Sequence, residues 1–315
     1  MRHSFINNEK NQPPSQPLKR LIINFIAFQI DILSSLSVKA LRTWKSFKSF
    51  FYHKRLLVTE YPLVDLGSSI CAQSDQSWQI PGQVFQIWKC KSFGKTHAAT
   101  ICAFRQRNPS LSFYLYNHIE ADAYLREVWS SHPIYRVYSG AKFRTLRADI
   151  FRYCILYEKG GYYFDIDCCV SVSLRSLHKK SESRLLTYEE TAASFLPSLE
   201  TMGLYLRPEL NLAMWGFGFA PHDPILLKVI DNIVKYYPFF KNKVFPDVKQ
   251  AILLFTGPGM FTKSVREHVD SCGNLGGMQT DISFNQNGIT WIPKSEVRFN
   301  QAPSYVTFKN SIIVE

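Results

Sequence analysis

The 315 residues, 46% hydrophobic and 15% aromatic, suffice for one large core or two small ones, which excludes a chain disordered throughout. The formal charge of +12 is uneven: residues 1–60 hold ten Lys/Arg against three Asp/Glu. This basic excess at one end fits an anionic lipid surface or acidic partner better than a nucleic-acid groove, so no nucleic acid is expected.

Residues 1–18, polar and carrying Pro13, Pro14 and Pro17, read as a disordered tail. Lys19 and Arg20 lead into the apolar-rich run Leu21 to Val38, which borders on a membrane span in length. Asn24, Gln29 and Asp31 interrupt it, and a mid-helix carboxylate costs about 3 kcal/mol at a bilayer centre. In residues 39–55 the basic groups interleave with Leu41, Trp44, Phe47, Phe50 and Phe51 at helical spacing. Residues 19–60 are therefore expected as a basic amphipathic helical segment, with 19–55 meeting a membrane peripherally or packing as ordinary structure. Seven cysteines without a C-x-x-C pair argue against zinc, and proline blocks the sole N-x-S/T match, at Asn108. Both features point to a reducing, cytoplasmic compartment and the basic segment to membrane association, with a Golgi-type anchor as the alternative.

Residues 61–79 read as a linker, and residues 80–315 as the main domain. Ile80-Pro81 opens a short apolar strand through Gln86 and Trp88. After an Asn108-Pro109 turn, Leu111 to Tyr116 reads as a second strand and Glu120 to Trp129 as a helix. The alternation predicts an α/β domain with a mainly parallel sheet. No G-x-G-x-x-G follows the first strand, so a dinucleotide site is not supported.

The stretch from Arg147 to Val170 reads as helix, glycine turn, strand and acidic tip. Ile150, Cys154 and Tyr157 share one helix face, and Asp149 neighbours Arg152 on another. Gly160-Gly161 ends the helix, and Tyr162 to Phe164 favour a strand. This strand delivers Asp165-Ile166-Asp167 to its C-terminal end, where open α/β sheets place ligands. Two carboxylates two apart on a strand point the same way and repel, a conflict that Mg²⁺ or Mn²⁺ relieves.

Further along, Arg184 to Glu189 reads as a strand and Leu196 to Pro208 as a loop with a helical turn. A strand at Asn211 leads to Asp223, an N-cap with Pro224 at the first position of the helix Ile225 to Tyr237. Phe245 to Phe255 reads as a helix ended by Thr256-Gly257-Pro258, with short strands at Gly288 to Ile292 and Ser304 to Phe308. His222 reads as a structural histidine at a helix start more readily than as a substrate ligand.

The pattern R-A-D-I-x-R-Y-x-I-L-Y-x-x-G-G-x-Y-x-D-x-D over residues 147–167 resembles the core of glycosyltransferase family 32, the enzymes with a D-x-D sugar-binding region. That family includes yeast initiating α-1,6-mannosyltransferases and bacterial capsule and lipopolysaccharide enzymes. Gln86 and Trp88 match its first strand, Phe85 stands where relatives carry histidine, and Thr256-Gly257-Pro258 matches its T-G-P turn. Its C-terminal Ser-Trp pair has no match in residues 295–315.

The resemblance implies a GT-A-like nucleotide-sugar-binding fold with a mixed, mainly parallel sheet, preceded here by N-terminal helices. It implies a retaining hexosyl transfer from a UDP- or GDP-hexose to a glycan or glycolipid acceptor, with Mn²⁺ or Mg²⁺. Asp167 would ligate the metal, and Asp165 would touch ribose or a sugar hydroxyl and reach the metal through water. Asp149 and Arg152 would hold the donor sugar and its phosphate, and Gln86, Trp88, Tyr163 and Gly257 would complete the donor site. Two rivals stand beside this reading. One is a D-x-D phosphotransferase of the haloacid dehalogenase type, which wants Thr or Val where Cys169 stands. The other is a membrane-surface protein that binds sugar nucleotide with impaired catalysis.

Overall fold

The computed structural model describes residues 60, 62–71, 75, 77–276, 278–279, 284–292 and 305–315. The expected tail of residues 1–18 and, apart from Glu60, the expected amphipathic segment of residues 19–60 lie outside the described residues. The elements in chain order are β1 (Val64–Asp65), β2 (Gln83–Ile87), β3 (Ser92–Phe93), α1 (Lys95–Arg107), β4 (Ser112–Tyr116), α2 (His118–Trp129), α3 (Pro133–Gly140) and α4 (Arg144–Lys159). There follow β5 (Gly161–Phe164), β6 (Cys168–Val170), β7 (Arg184–Leu186), β8 (Tyr188–Ala192), β9 (Leu210–Leu212), β10 (Gly216–Phe219), α5 (Pro224–Phe240) and β11 (Val244–Phe245). The series ends with α6 (Val248–Phe255), α7 (Pro258–Cys272), β12 (Met278–Gln279), β13 (Ile289–Trp291) and β14 (Ser311–Ile312).

The main sheet has the order β12-β7-β10-β5-β2-β4. β2 runs parallel to β4 and β5, β12 runs parallel to β7, and β10 runs antiparallel between β5 and β7. The sheet is thus mixed and mainly parallel, as its βαβ alternation predicts. Alternation along the strands divides the core between two faces. Phe85, Ile87, Tyr163, Phe217 and Phe219 pack with helices α2 to α7, while Val84, Tyr162, Phe164 and Phe113 pack with Phe104 of α1 and Leu174.

Local chemistry accounts for the helix limits. Asn117 and Glu120 form a reciprocal capping box at the start of α2, two residues before the expected boundary. Asp223 caps α5 by accepting from the Ile225 amide at 2.9 Å, with Pro224 at the first position as expected. The Asp223 carboxylate also pairs with buried Arg184 at 2.6 Å, tying α5 to β7. Between α4 and β5, Gly160 and Gly161 take φ of +62° and +101°. A Cβ on Gly161 would lie 2.5 Å from the Gln83 carbonyl oxygen, so this turn needs glycine twice over, for conformation and for room.

Several expectations change. Residues 62–71 do not hang free as a linker: β1 pairs with β3, and Ser69 bridges Phe113. Arg184 to Glu189 is not one strand; the chain leaves the sheet after Leu186, and β8 pairs with β9 instead. The helix expected from Phe245 begins at Val248, because Val244–Phe245 pair with β14. Tyr305–Thr307 form a 3₁₀ turn where a strand was expected.

Candidate active site

Strand β5 ends at Phe164, so the acidic pair does not sit on a strand. Asp165, Ile166 and Asp167 make a tight turn into β6, closed by the Cys168 amide donating to the Asp165 carbonyl at 3.0 Å. Strand alternation therefore does not set the directions of the two carboxylates; the turn does. Three other segments hold its backbone. The Asp165 amide donates to the Trp215 carbonyl at 2.8 Å, the Ile292 amide donates to the Asp167 carbonyl at 2.7 Å, and His97 Nε2 lies 2.7 Å from the Ile166 carbonyl oxygen.

Both acids line a cleft of about 670 Å³. Ile87, Trp88 and Lys89 at the end of β2 form one wall, and Phe143, Arg144, Thr145 and Ala148 at the start of α4 form another. Tyr163 and Arg152 lie at its base, and Tyr305, Phe308, Ser311 and Ile312 cover one side. The last of these segments is anchored to the domain. Val314 bridges Ala141 and Lys241, and Lys142 pairs with Glu315 at 2.6 Å.

Arg152 has a 5% exposed side chain, and its fork is directed at protein groups. Nη2 lies 3.2 Å from Asp149 Oδ1 and 3.2 Å from Asp165 Oδ1, and Nη1 donates to the Met214 carbonyl at 2.7 Å. The guanidinium carbon stands 4.4 Å from the Tyr163 ring centre. Arg152 thus lines the cleft while its fork also holds Asp165, because a planar guanidinium can meet two carboxylates and a carbonyl at once.

Asp149 is as buried as Arg152 and, unlike it, does not line the cleft. Thr256 Oγ1 donates to its Oδ2 at 2.8 Å, and Tyr153 Oη donates to the Thr256 carbonyl at 2.9 Å. Burial pushes the Asp149 pKa up to about 6, against the pull of Arg152 and the Thr256 hydroxyl. Burial likewise raises Asp165, again opposed by Arg152. For Arg152 itself, burial works against the charge, but Asp165, Tyr163 and Asp149 outweigh it and raise the pKa. The T-G-P turn thus acts from behind the site: Thr256 fixes Asp149, and Asp149 fixes Arg152.

Gly257 caps α7 and lies outside the cleft lining; a Cβ there would meet the Leu253 Cα at 2.7 Å. Gln86 is 2% exposed and also lies outside the lining, since alternation turns it away from the face of Phe85 and Ile87. Phe85 is a core residue, stacked on Tyr114 with ring centres 5.2 Å apart. Trp88, Tyr163, Asp165, Asp167 and Arg152 are the expected site residues that the cleft brings together.

Sequence reasoning missed the cationic lining, Lys89, Lys142 and Arg144, and His118 of the same cleft, whose pKa is lowered to about 4 by burial and then by Arg144. The position of Arg144 in the first turn of the central helix, just ahead of the R-A-D-I run, was a usable signal. It also missed His97 and the cover formed by residues 305–312. Tyr305 is pushed up to about 12 by burial, then by the nearby Asp149 and Asp165.

Among the described residues no group of three or more His, Cys, Asp or Glu converges on a common point. Among the described lining residues Asp165 and Asp167 are the carboxylates, oxygen donors of the kind Mg²⁺ or Mn²⁺ prefers, leaving most of an octahedral shell to other oxygens. The donor set fits an ion whose shell a phosphate-bearing ligand completes.

Residues 95–184, the segment running from α1 through the acidic turn to β7, match the family described as "Glycosyltransferase sugar-binding region containing DXD motif". That stretch of the chain is similar to a glycosyltransferase sugar-binding region of the DXD type. The "Initiation-specific alpha-1,6-mannosyltransferase" of Candida albicans is 26% identical over 216 residues, covering 62% of this chain and 55% of that protein. The Schizosaccharomyces pombe protein of the same name is 25% identical over 45% of this chain and 36% of its own length. "Inositol phosphoceramide mannosyltransferase 1" of S. pombe is 26% identical over 55% of this chain and 49% of its own. The chain thus spans about half the length, or less, of these curated relatives. Among solved structures, "PaToxG Glycosyltransferase" aligns over 71% of this chain and 81% of its own, with a TM-score of 0.44 and 15% identity. The matched stretch includes every residue of the acidic turn, Arg152, Asp149 and His97, but neither Thr256 nor residues 305–312.

Proposed function

We propose that this protein transfers a hexose from a nucleotide diphosphate sugar to a hydroxyl of a glycan or lipid-linked acceptor, with retention of configuration. The observation that carries the reading is the Asp165-Ile166-Asp167 turn opening into a cleft that also presents Lys89 and Arg144. Carboxylates beside cations suit a diphosphate bridged by a divalent ion. The names of the relatives make mannose the first sugar to test.

Asp167 and Asp165 would hold Mn²⁺ or Mg²⁺, which when bound would stabilise the diphosphate leaving group as a Lewis acid. Lys89 and Arg144 would offset diphosphate charge at the cleft wall. Arg152 keeps Asp165 oriented and favours its ionised form, and Asp149 and Thr256 keep Arg152 in place. Trp88 and Tyr163 offer aromatic surface to the donor. Retention requires no enzymic nucleophile if the acceptor attacks on the face the leaving group departs from.

The test is a panel of UDP- and GDP-hexoses with Mn²⁺, read by thermal shift and by release of nucleoside diphosphate. A donor at a hundredfold excess over Kd should add about 2.7 kcal/mol of stability. No stabilisation and no release with any member would refute the reading.

Among the described residues, no helix is long and apolar enough to cross a membrane. Residues 19–55 supply the proposed peripheral membrane contact, on the cytoplasmic face, through their interleaved basic and aromatic side chains.

A further inference from the structure

His97, in the first turn of α1, is 1% exposed and touches the acidic turn at its middle residue. A backbone carbonyl only accepts, so the 2.7 Å contact to Ile166 places the proton on His97 Nε2. The ring is fixed edge-on against Phe93, with centres 4.9 Å apart. The start of α1 is fixed in turn by buried Glu60, which accepts from the Thr96 amide at 2.7 Å and the Thr96 hydroxyl at 2.5 Å. Of the contacts that other segments make to the backbone of the acidic turn, the Trp215 and Ile292 bonds are backbone to backbone. His97 acts through a side chain, on the carbonyl of the residue that separates the two acids.

We propose that His97 is a positioning residue for the acidic pair: by holding the Ile166 carbonyl it sets the peptide plane between Asp165 and Asp167, and so the angle at which their carboxylates present oxygen. The proposal rests on the reading of the acidic turn as a metal–diphosphate site. Two flexible carboxylates would bind such a ligand only after being ordered, and a pinned turn avoids that cost. Burial lowers the His97 pKa, consistent with a neutral ring that donates from Nε2.

The test compares His97→Phe, which keeps a ring against Phe93 but removes the donor, with His97→Gln, which keeps an N–H. Phe93→Leu serves as a packing control that leaves the donor in place. Titration calorimetry with Mn²⁺ plus GDP, and Mn²⁺ plus UDP, reads ligand affinity on the full chain. His97→Phe should weaken the nucleotide that wild type binds by about tenfold or more, as supporting partners of metal ligands do. His97→Gln should stay close to wild type, and Phe93→Leu should lower Tm without moving Kd.

Hydrogen exchange at the Cys168 amide, which closes the turn, gives a ligand-free readout: it should quicken in His97→Phe and not in Phe93→Leu. Should His97→Phe not fold, His97→Asn, whose shorter amide falls short of Ile166, carries the same comparison. Unchanged affinity and exchange without the donor, or a Gln variant as impaired as the Phe variant, would overturn the proposal. A wild type that binds neither nucleotide would sink the functional reading instead, and the exchange experiment would then decide His97 alone.

Discussion

Replacing Asp149 by asparagine tests the electrostatics behind the site. The amide keeps an acceptor for the Thr256 hydroxyl but removes a buried charge 3.2 Å from Arg152. With a folded pKa of about 6 against an ordinary 3.8, the folded wild type binds a proton here that the unfolded chain has released at intermediate pH. Stability from this group is therefore fully present below about pH 3.8 and lost as pH rises through 6. The shift of about two units corresponds to about 3 kcal/mol at 1.36 kcal/mol per unit. Asparagine does not titrate, so the stability of Asp149→Asn minus that of wild type should grow by about 2 kcal/mol between pH 4 and 7, most of that total. Urea unfolding of both full-length chains across that range measures it, and taking the difference cancels the titrating groups that do not interact with Asp149. A difference that stays flat, or falls as pH rises, would refute the claim that burial outweighs the Arg152 pair.

Arg152→Lys keeps the charge, but a single ammonium cannot hold Asp149, Asp165 and the Met214 carbonyl together, so it should destabilise the fold by about 1–3 kcal/mol in urea unfolding as a buried partner goes unsatisfied. A stability change below about 1 kcal/mol would return Arg152 to the role of an open phosphate ligand. Asp167→Asn should abolish Mn²⁺-dependent binding of nucleoside diphosphate by calorimetry while leaving Tm nearly unchanged. Gly257→Ala should cost about 1–3 kcal/mol by thermal melting, since the new methyl meets the Leu253 backbone, with donor affinity preserved in the folded fraction. The full chain should co-sediment with anionic but not neutral liposomes at low salt, and a chain lacking residues 1–57 should not; equal binding by both would remove residues 19–55 from the contact.

The central helix, its glycine stop, the following strand and the acidic tip were legible because each rests on neighbours in sequence. Apolar spacing makes α4, Gly160 and Gly161 take the positive φ that ends it, and aromatic residues favour β5. The mainly parallel sheet followed from the same alternation of short elements. What the sequence could not disclose are contacts between residues far apart. Asp149 and Arg152 were rightly placed as helix neighbours, but whether Arg152 faces solvent or protein depended on the Met214 carbonyl, 62 residues away, and on Asp165 across the turn. Gln86 and Gly257 matched motif positions, yet strand alternation and helix capping turn both away from the cleft. His97 carries no pattern of its own; it became a candidate only when folding set it 2.7 Å from a carbonyl 69 residues later. Helix and turn preferences are decided within a few bonds, whereas the partner of a buried charge is decided by which segments pack together.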